Sequence, residues 1–165
     1  MDIKKFDIVL DNYKQPRLVI DDELKYSKDI SSRINDSETL AEMIYDIFDV
    51  PHKATEYVYM LSLTSDGKII GVFELFKGSI KASVFSPREI MMSALLSGAA
   101  NIIMAHIHPS GNTEPSMEDD IVTFKLYNIC KEMSLPLLDH IIVGDCFGMN
   151  YYSYAKNNRL EGKQL

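Results

Sequence analysis

The spacing of apolar residues changes along the chain, and each change predicts a different element. Between 37 and 48, apolar side chains return every three or four positions behind the N-cap candidates Asp36 and Ser37, which predicts a helix. Residues 56–63 are rich in aromatic and aliphatic side chains and predict a buried strand. An Asp-Gly turn signal follows, so we expect residues 68–76 to return as the antiparallel partner strand.

The second half of the chain alternates between helical and extended patterns. Ser86, Pro87 and Glu89 have the spacing of a capping box, which predicts a helix that stops at Gly98. The other predicted elements follow in order: a strand over 101–107, a loop over 109–115, a helix from Ser116 past Cys130, and strands over 137–143 and 151–154. Strands that alternate with helices predict an α/β or α+β fold with a single mixed sheet and helices packed on it.

Residues 1–36 carry a weaker pattern of short apolar runs separated by turn residues. This pattern is compatible with a hairpin at the edge of the sheet, but it indicates no function. We therefore predict an N-terminal extension over 1–36 and one main domain over 37–165. A chain of this size buries roughly 70% of its unfolded surface and needs no metal to fold, so a bound metal would be functional rather than structural.

Charge and composition narrow the possible partners and the compartment. The 165-residue chain has 24 acidic and 17 basic residues, a net charge of −7. Because Lys and Arg contacts to phosphate supply most non-specific nucleic-acid affinity, this balance weighs against nucleic acid as a partner. The two cysteines, Cys130 and Cys146, lack CxxC spacing and predict reduced thiols in or near the core. No apolar run resembles a signal peptide or a membrane span, so we expect a cytoplasmic protein with no membrane partner.

Metal-binding side chains are concentrated near residue 106. His106 and His108 are two positions apart on a predicted strand, so their imidazoles point to the same face. The loop after them leads into a helix whose first turn contains Asp119, which returns a carboxylate to the strand end. Two histidines and one carboxylate, with a fourth position open to water, form the ligand set of a catalytic zinc ion.

Other interpretations of the same residues stay open at this point. A histidine pair in a strand can be exposed or satisfied by hydrogen bonds in the core, and Asp119 at N3 can simply cap its helix. Asp120 offers a second carboxylate, but it points about 100° around the helix from Asp119, so the two cannot both be ligands with ordinary geometry. Spacing alone does not decide for zinc.

Several segments resemble a known family. The His-Ile-His-Pro segment at 106–109, followed by Ser116-x-x-Asp119, is similar to the H-x-H-P…S-x-x-D signature of the JAMM (MPN+/JAB) metalloproteases. Strings at 86–89, 106–111, 115–119 and 137–144 resemble more closely the RadC-like (UPF0758) branch, whose usual strings are HPRE, HNHPSG, PSxxD and LLDHxIxG. The resemblance covers roughly Ser37 to the C-terminus. It implies a JAB/MPN domain of cytidine-deaminase-like architecture.

The resemblance also implies roles for individual residues. One Zn²⁺ ion would be held by His106, His108 and Asp119, and Glu56 would be the general base because 56–70 is similar to the family's E-x-F-x-x-L-x-L segment. Ser116 would donate a hydrogen bond near the metal and stabilise the oxyanion.

Two further residues are alternatives to these assignments. Glu74, on the partner strand, is the alternative general base. His140 is a candidate extra ligand, for which a supporting or structural role is the simpler interpretation, since a fourth protein ligand would close the open position.

Three departures from the family pattern bear on function. Ile107 stands where RadC-like proteins have Asn, Ser86 stands where His usually precedes Pro-Arg-Glu, and no helix-hairpin-helix is recognisable in 1–36.

The resemblance implies a zinc metallopeptidase or isopeptidase that cleaves an amide bond in a peptide or protein substrate. Two alternatives remain: a DNA repair or mobile-element accessory protein, and a metal-stabilised binding module without turnover. The sequence does not indicate an oligomeric state.

Overall fold

The computed structural model describes residues 2–27, 36–78 and 86–161, which form a seven-stranded mixed sheet with three α-helices. This confirms the predicted α/β class. The strands are β1 (Asp2–Leu10), β2 (Pro16–Lys25), β3 (Tyr57–Leu63), β4 (Ile69–Lys77), β5 (Asn101–His108), β6 (Leu137–Asp145) and β7 (Met149–Ser153). The helices are α1 (Ser37–Ile47), α2 (Pro87–Leu96) and α3 (Met117–Glu132), with a short 3-10 turn at Val50–His52.

The strand order is β2-β1-β4-β3-β5-β6-β7. β1 runs parallel to β4 and β5 runs parallel to β6, whereas the other neighbours are antiparallel. The β3–β4 hairpin turns through Gly67, whose φ of 82° favours glycine, as the Asp-Gly signal predicts. The parallel β5–β6 pair needs a crossover, and α3 provides it. The C-terminal end of β5 and the first turn of α3 therefore lie close together.

The two faces of the sheet carry different helices. On β5, Ile103, Ala105 and Ile107 pack into the apolar cluster that contains the buried face of α1. Ile102 and Met104 pack into the other cluster, which contains buried residues of α2 and α3. Side chains alternate along a strand, so His106 and His108 lie on the face covered by α2 and α3.

The first two strands form the edge hairpin that the apolar runs suggest. β1 and β2 pair antiparallel, and Ile3 is buried in the α1 cluster. Phe6 packs on Phe73 and lies over Gly71, where a Cβ atom would come within 2.3 Å of its ring. Part of 1–36 is therefore continuous with the sheet of the main domain. The division at residue 36 stays a prediction.

Two of the three helix starts have the predicted cap, and one differs. The Asp36 side chain accepts a hydrogen bond from the Thr39 amide, and Ser116 forms a capping box with Asp119. Ser86 makes no side-chain cap, so the capping box predicted there is wrong. Pro87 at the first helical position fixes φ, and the Ser86 carbonyl already accepts from backbone amides, so this helix starts without the side chain.

The two cysteines lie in different environments. Both cysteines are free thiols, and Cys130 is buried in the core as predicted. Cys146 is exposed in the turn after β6, so its predicted place in or near the core is wrong. Within the described residues, every helix is too short or too polar to cross a membrane.

Candidate metal centre

The candidate site lies where β5 ends beside the start of β3. His106 and His108 are buried, and their rings meet edge to face with centroids 4.3 Å apart. Val58 pairs directly with His106 across the β3–β5 ladder, so Glu56, two positions earlier, lies on the same face. Ligand atoms of Glu56, His106 and His108 all lie within 4.8 Å of one another. The structure therefore groups Glu56, rather than the expected ligand Asp119, with the two histidines.

Asp119, in the first turn of α3, lies against Nδ1 of His106, outside this group of mutually close ligand atoms. Its side chain is 2% exposed, and its Oδ1 lies 3.0 Å from Nδ1 of His106. Its Oδ2 lies 3.8 Å from Nε2 of His108 and accepts hydrogen bonds from both the amide and the hydroxyl of Ser116. The fold therefore brings together all five residues expected at the site: Glu56, His106, His108, Ser116 and Asp119.

The loop after β5 fixes the orientation of His108. The carbonyl of Asn112 lies 2.7 Å from Nδ1 of His108, and a carbonyl can only accept, so Nδ1 carries the proton and Nε2 presents a lone pair. Gly111 makes this loop possible: its φ is +75°, and a Cβ atom there would lie 2.6 Å from the carbonyl oxygen of Asp145. The Pro-Ser-Gly sequence thus sets the position of the His108 ring.

His106 provides the test of whether these residues fit a metal ion. Both of its ring nitrogens are buried, and neither has a correctly aligned hydrogen-bond partner among the described residues. Leaving a buried polar group unpaired costs about 1–3 kcal/mol, so such a group needs an explanation. Imidazole and carboxylate donors suit zinc, and the described ligand set includes no cysteine, as in catalytic zinc sites of the two-histidine, one-carboxylate type. The residues present therefore fit a divalent metal ion.

The charges of the four groups are tightly linked. Burial opposes the charge on Asp119, but contacts from His106 and Ser116 outweigh it and hold the pKa of the carboxyl far below its usual range. Burial also opposes the charge on His106, yet Asp119 and Glu56 leave its pKa raised. Burial and the neighbouring His106 lower the pKa of His108. The two carboxylates thus stabilise positive charge at His106.

Two acidic residues considered as alternatives lie elsewhere. Glu74 pairs directly with Tyr59, which belongs to the α1 cluster, so it lies on the opposite face of the sheet from His106. It approaches Lys5 there, with 3.5 Å between the charged atoms. The carboxylate of Asp120 accepts hydrogen bonds from the guanidinium of Arg159 and from the hydroxyl of Tyr154. Glu56 and Asp119 are therefore the carboxylates at the site.

His140 lies next to the site without joining the cluster of ligand atoms. Its ring is stacked between those of Tyr154 and His106, at centroid distances of 5.0 and 6.1 Å. Burial lowers its pKa to about 3, which keeps the ring neutral. Its Nδ1 lies 2.6 Å from Oγ1 of Thr123, a contact that sequence reasoning missed because Thr123 sits in no motif.

Ile107, which stands where RadC-like proteins have Asn, lies in the core and away from the site. Ile107 is fully buried among the residues that pack on α1, on the face of the sheet opposite the two histidines. Its side chain therefore contributes to the core and not to the site. Any hydrogen bond that an Asn would make there belongs to the α1 side.

A mixed sheet that presents two histidines from a strand end and carboxylates from a neighbouring strand and helix defines an α/β domain with a candidate metal centre. The family model of the RadC-like JAB domain matches residues 34–160. The chain belongs to the RadC-like JAB domain family. This confirms the resemblance inferred from the motifs.

Curated relatives agree with this assignment. The chain is 41% identical over 128 residues to a UPF0758 protein of Streptococcus gordonii, a match that covers 78% of this chain and 54% of the relative. It is 40% identical over 126 residues to a UPF0758 protein of Haemophilus influenzae, covering 75% and 54%. A Clostridium perfringens UPF0758 protein is 35% identical over 121 residues, covering 73% and 52%. The chain spans about half the length of the curated relatives it matches.

Proposed function

We propose that this chain is a zinc-dependent hydrolase of the JAMM type that cleaves an amide bond in a peptide or protein. The observation that carries the proposal is the buried His106 ring: neither nitrogen has an aligned hydrogen bond among the described residues, yet His108, Asp119 and Glu56 lie close to the ring. Imidazole nitrogens that lack aligned hydrogen bonds and lie close to carboxylates favour a bound metal ion. Membership of a JAB family supports the same chemistry.

In this proposal His106, His108 and Asp119 hold the metal. When bound, zinc supplies a Lewis acid for the scissile carbonyl and a water whose pKa falls to about 7. The Asn112 carbonyl keeps the His108 ring in the tautomer that leaves Nε2 available. Ser116 holds one oxygen of Asp119 through two hydrogen bonds, and the other oxygen faces His106.

Glu56 is the proposed general base. Its carboxylate lies 3.8 Å from Nε2 of His106, and its side chain is 30% exposed, so water and substrate can reach it. It would accept a proton from the attacking water and return that proton to the leaving amine, as general acid–base catalysis of amide hydrolysis requires. The position of Glu74 on the other face of the sheet supports the choice of Glu56.

Ser116 has a double role in the proposal. In the structure its hydroxyl proton is directed to Asp119, so its first function is to orient that carboxylate. To stabilise an oxyanion, the hydroxyl would have to rotate from Asp119 to the substrate carbonyl during the reaction.

The test combines zinc content with hydrolysis. We expect elemental analysis to find one zinc per purified chain and substantially less in Asp119→Ala. Glu56→Gln should keep its zinc and lose hydrolysis of a fluorogenic peptide library and of lysine-linked isopeptides by orders of magnitude. Glu74→Gln, a matched change on the opposite face, should behave like the parent.

Each failure has a different meaning. Equal zinc in the parent and in Asp119→Ala would refute the metal site. Zinc without hydrolysis of any probe would favour the binding module, in which Glu56→Gln binds its partner as the parent does. Tight, strongly salt-dependent DNA binding near physiological salt would favour the DNA alternative.

A further inference from the structure

A buried series of hydrogen bonds connects β6 to the first turn of α3, directly behind Asp119. Nδ1 of His140 lies 2.6 Å from Oγ1 of Thr123, and the same Oγ1 lies 2.6 Å from the backbone carbonyl of Asp119. All three residues are buried. None of these contacts involves the side chain of Asp119, so they act on the position of its backbone.

The protons in this series can be placed from the chemistry of the groups. The Asp119 carbonyl has no proton, so the bond to it must be donated by the single hydroxyl proton of Thr123. Oγ1 then has only lone pairs left for His140. The proton in the second bond must therefore come from the ring, which places it on Nδ1 of His140.

The remaining nitrogen of His140 agrees with this placement. Nε2 is buried and has no hydrogen-bond partner among the described residues. The opposite tautomer would leave an N–H donor buried without an acceptor, and orphaned buried donors are rarer than under-satisfied acceptors. Stacking on Tyr154 and His106 fixes the plane of the ring, so that Nδ1 is directed at Thr123.

We infer that His140 and Thr123 are positioning residues for the metal centre: His140 donates through Nδ1 to Thr123, and Thr123 holds the turn of α3 that presents Asp119. The inference rests on the proposed zinc site and deepens it. The two residues tie the helix that carries one ligand to β6, the strand that pairs in parallel with the histidine-bearing β5. Groups that support a metal ligand typically change metal affinity 10- to 100-fold when removed.

The first experiment locates the proton. Long-range ¹H–¹⁵N spectra of the full chain without metal should give His140 a pyrrole-type Nδ1 and a pyridine-type Nε2. A pyridine-type Nδ1 would overturn the inference. This measurement uses the parent chain, so it does not depend on the folding of any variant.

The second experiment measures zinc affinity by competition with a chromogenic chelator. Thr123→Val removes the hydroxyl at nearly constant volume and should weaken zinc binding by about 10-fold or more, whereas Thr123→Ser keeps the hydroxyl and should bind like the parent. His140→Asn places an amide N–H where Nδ1 lies and should retain most of the affinity. His140→Gln fills more of the ring's volume, but its N–H takes the place of Nε2, so it should bind zinc less tightly than the Asn variant.

These rankings separate positioning from mere packing. If His140 only fills space, the larger Gln should restore at least as much zinc affinity as Asn, and that result would overturn the inference. Parental zinc affinity in Thr123→Val would overturn it as well. If Thr123→Val weakens zinc binding while the parent hydrolyses no probe, the positioning role stands and the proposed hydrolase activity fails. If the parent hydrolyses a probe and Thr123→Val keeps its zinc affinity, the hydrolase activity stands and the positioning role fails.

Discussion

The hydroxyl of Ser116 donates a hydrogen bond to Oδ2 of Asp119 over 2.5 Å, while the amide of Asp119 donates back to Oγ of Ser116. The pair that caps α3 is therefore the same pair that presents a carboxylate to His106. The same hydrogen bonds therefore stabilise the helix start and orient a carboxylate at the site. Ser116, whose spacing in the sequence indicates an N-cap, also orients Asp119 toward His106.

Removal of the Ser116 hydroxyl should affect stability and metal binding together. Ser116→Ala is expected to lower the free energy of unfolding by about 1 kcal/mol, the usual effect of losing an N-cap. It should also weaken zinc binding, because Asp119 loses one of the two donors that fix Oδ2. Urea unfolding and chelator competition measure the two effects. Ser116→Thr is the matched control, and a zinc affinity in Ser116→Ala equal to that of the control would contradict the shared role.

The glycine in the loop after β5 should be more sensitive than other glycines with positive φ. Gly111→Ala introduces a Cβ atom 2.6 Å from the carbonyl oxygen of Asp145, in addition to the strain at φ +75°. Gly98→Ala has a similar φ of +69° but meets no atom within 4 Å, so it isolates the strain alone, roughly 1–2 kcal/mol. We expect a larger loss of stability in Gly111→Ala, measured by urea unfolding. Equal losses in the two variants would show that the close approach of this loop to β6 is unimportant.

A second effect of Gly111→Ala concerns His108. The loop delivers the Asn112 carbonyl to Nδ1 of His108, so displacement of the loop should weaken zinc binding. Gly98→Ala, which lies beyond the C-terminus of α2, should leave zinc affinity unchanged. Chelator competition on the two variants checks the difference, and a loss common to both would indicate a general effect of destabilisation.

The two cysteines should react at very different rates. Burial raises the pKa of Cys130 to about 11, so almost no thiolate forms near pH 8, and the side chain is also inaccessible. Cys146 is exposed. A chromogenic thiol reagent should label one thiol per native chain quickly and the second only after unfolding in guanidinium. Cys146→Ser should abolish the fast phase, and two fast thiols in the native parent would contradict the buried position of Cys130.

The cap of α1 should contribute a pH-dependent stability. Hydrogen bonds from Thr39 hold the pKa of Asp36 below its ordinary value. A lowered folded-state pKa means that the contribution is present above the unfolded pKa of about 3.9 and is lost as the pH falls through the lower folded-state value. Asp36→Ala should therefore lower the free energy of unfolding by about 1 kcal/mol at pH 7 and by less in strong acid.

Asp36→Asn provides the control for the charge. Asn is a comparable N-cap without a carboxylate. The difference in free energy of unfolding between Asp36→Asn and Asp36→Ala should therefore vary little with pH. Urea unfolding at neutral and acid pH compares the three chains. If the free energy of unfolding of the parent exceeds that of Asp36→Ala by the same amount at both pH values, ionisation of Asp36 does not contribute to stability.

Much of the site could be predicted because its parts are close in sequence. The two histidines share a face through the two-residue period of a strand, and Asp119 follows Ser116 at capping-box spacing. Glu56 is different, since about fifty residues separate it from His106 and only the register of β3 against β5 brings them together. Without the family resemblance, the sequence offered no physical reason to prefer it over Glu74.

Strand periodicity and helix capping act over a few residues, so most elements after residue 36, their order, and the His-x-His and Ser-x-x-Asp arrangements could be predicted from sequence. Three relations became visible only in the folded chain: Glu74 lies on the far face of the sheet, Ile107 belongs to the α1 core, and Thr123 connects His140 to Asp119. Those relations depend on strand register and on the packing of a helix against a distant strand. Both are settled by burial of the whole apolar surface, which no short segment of sequence encodes.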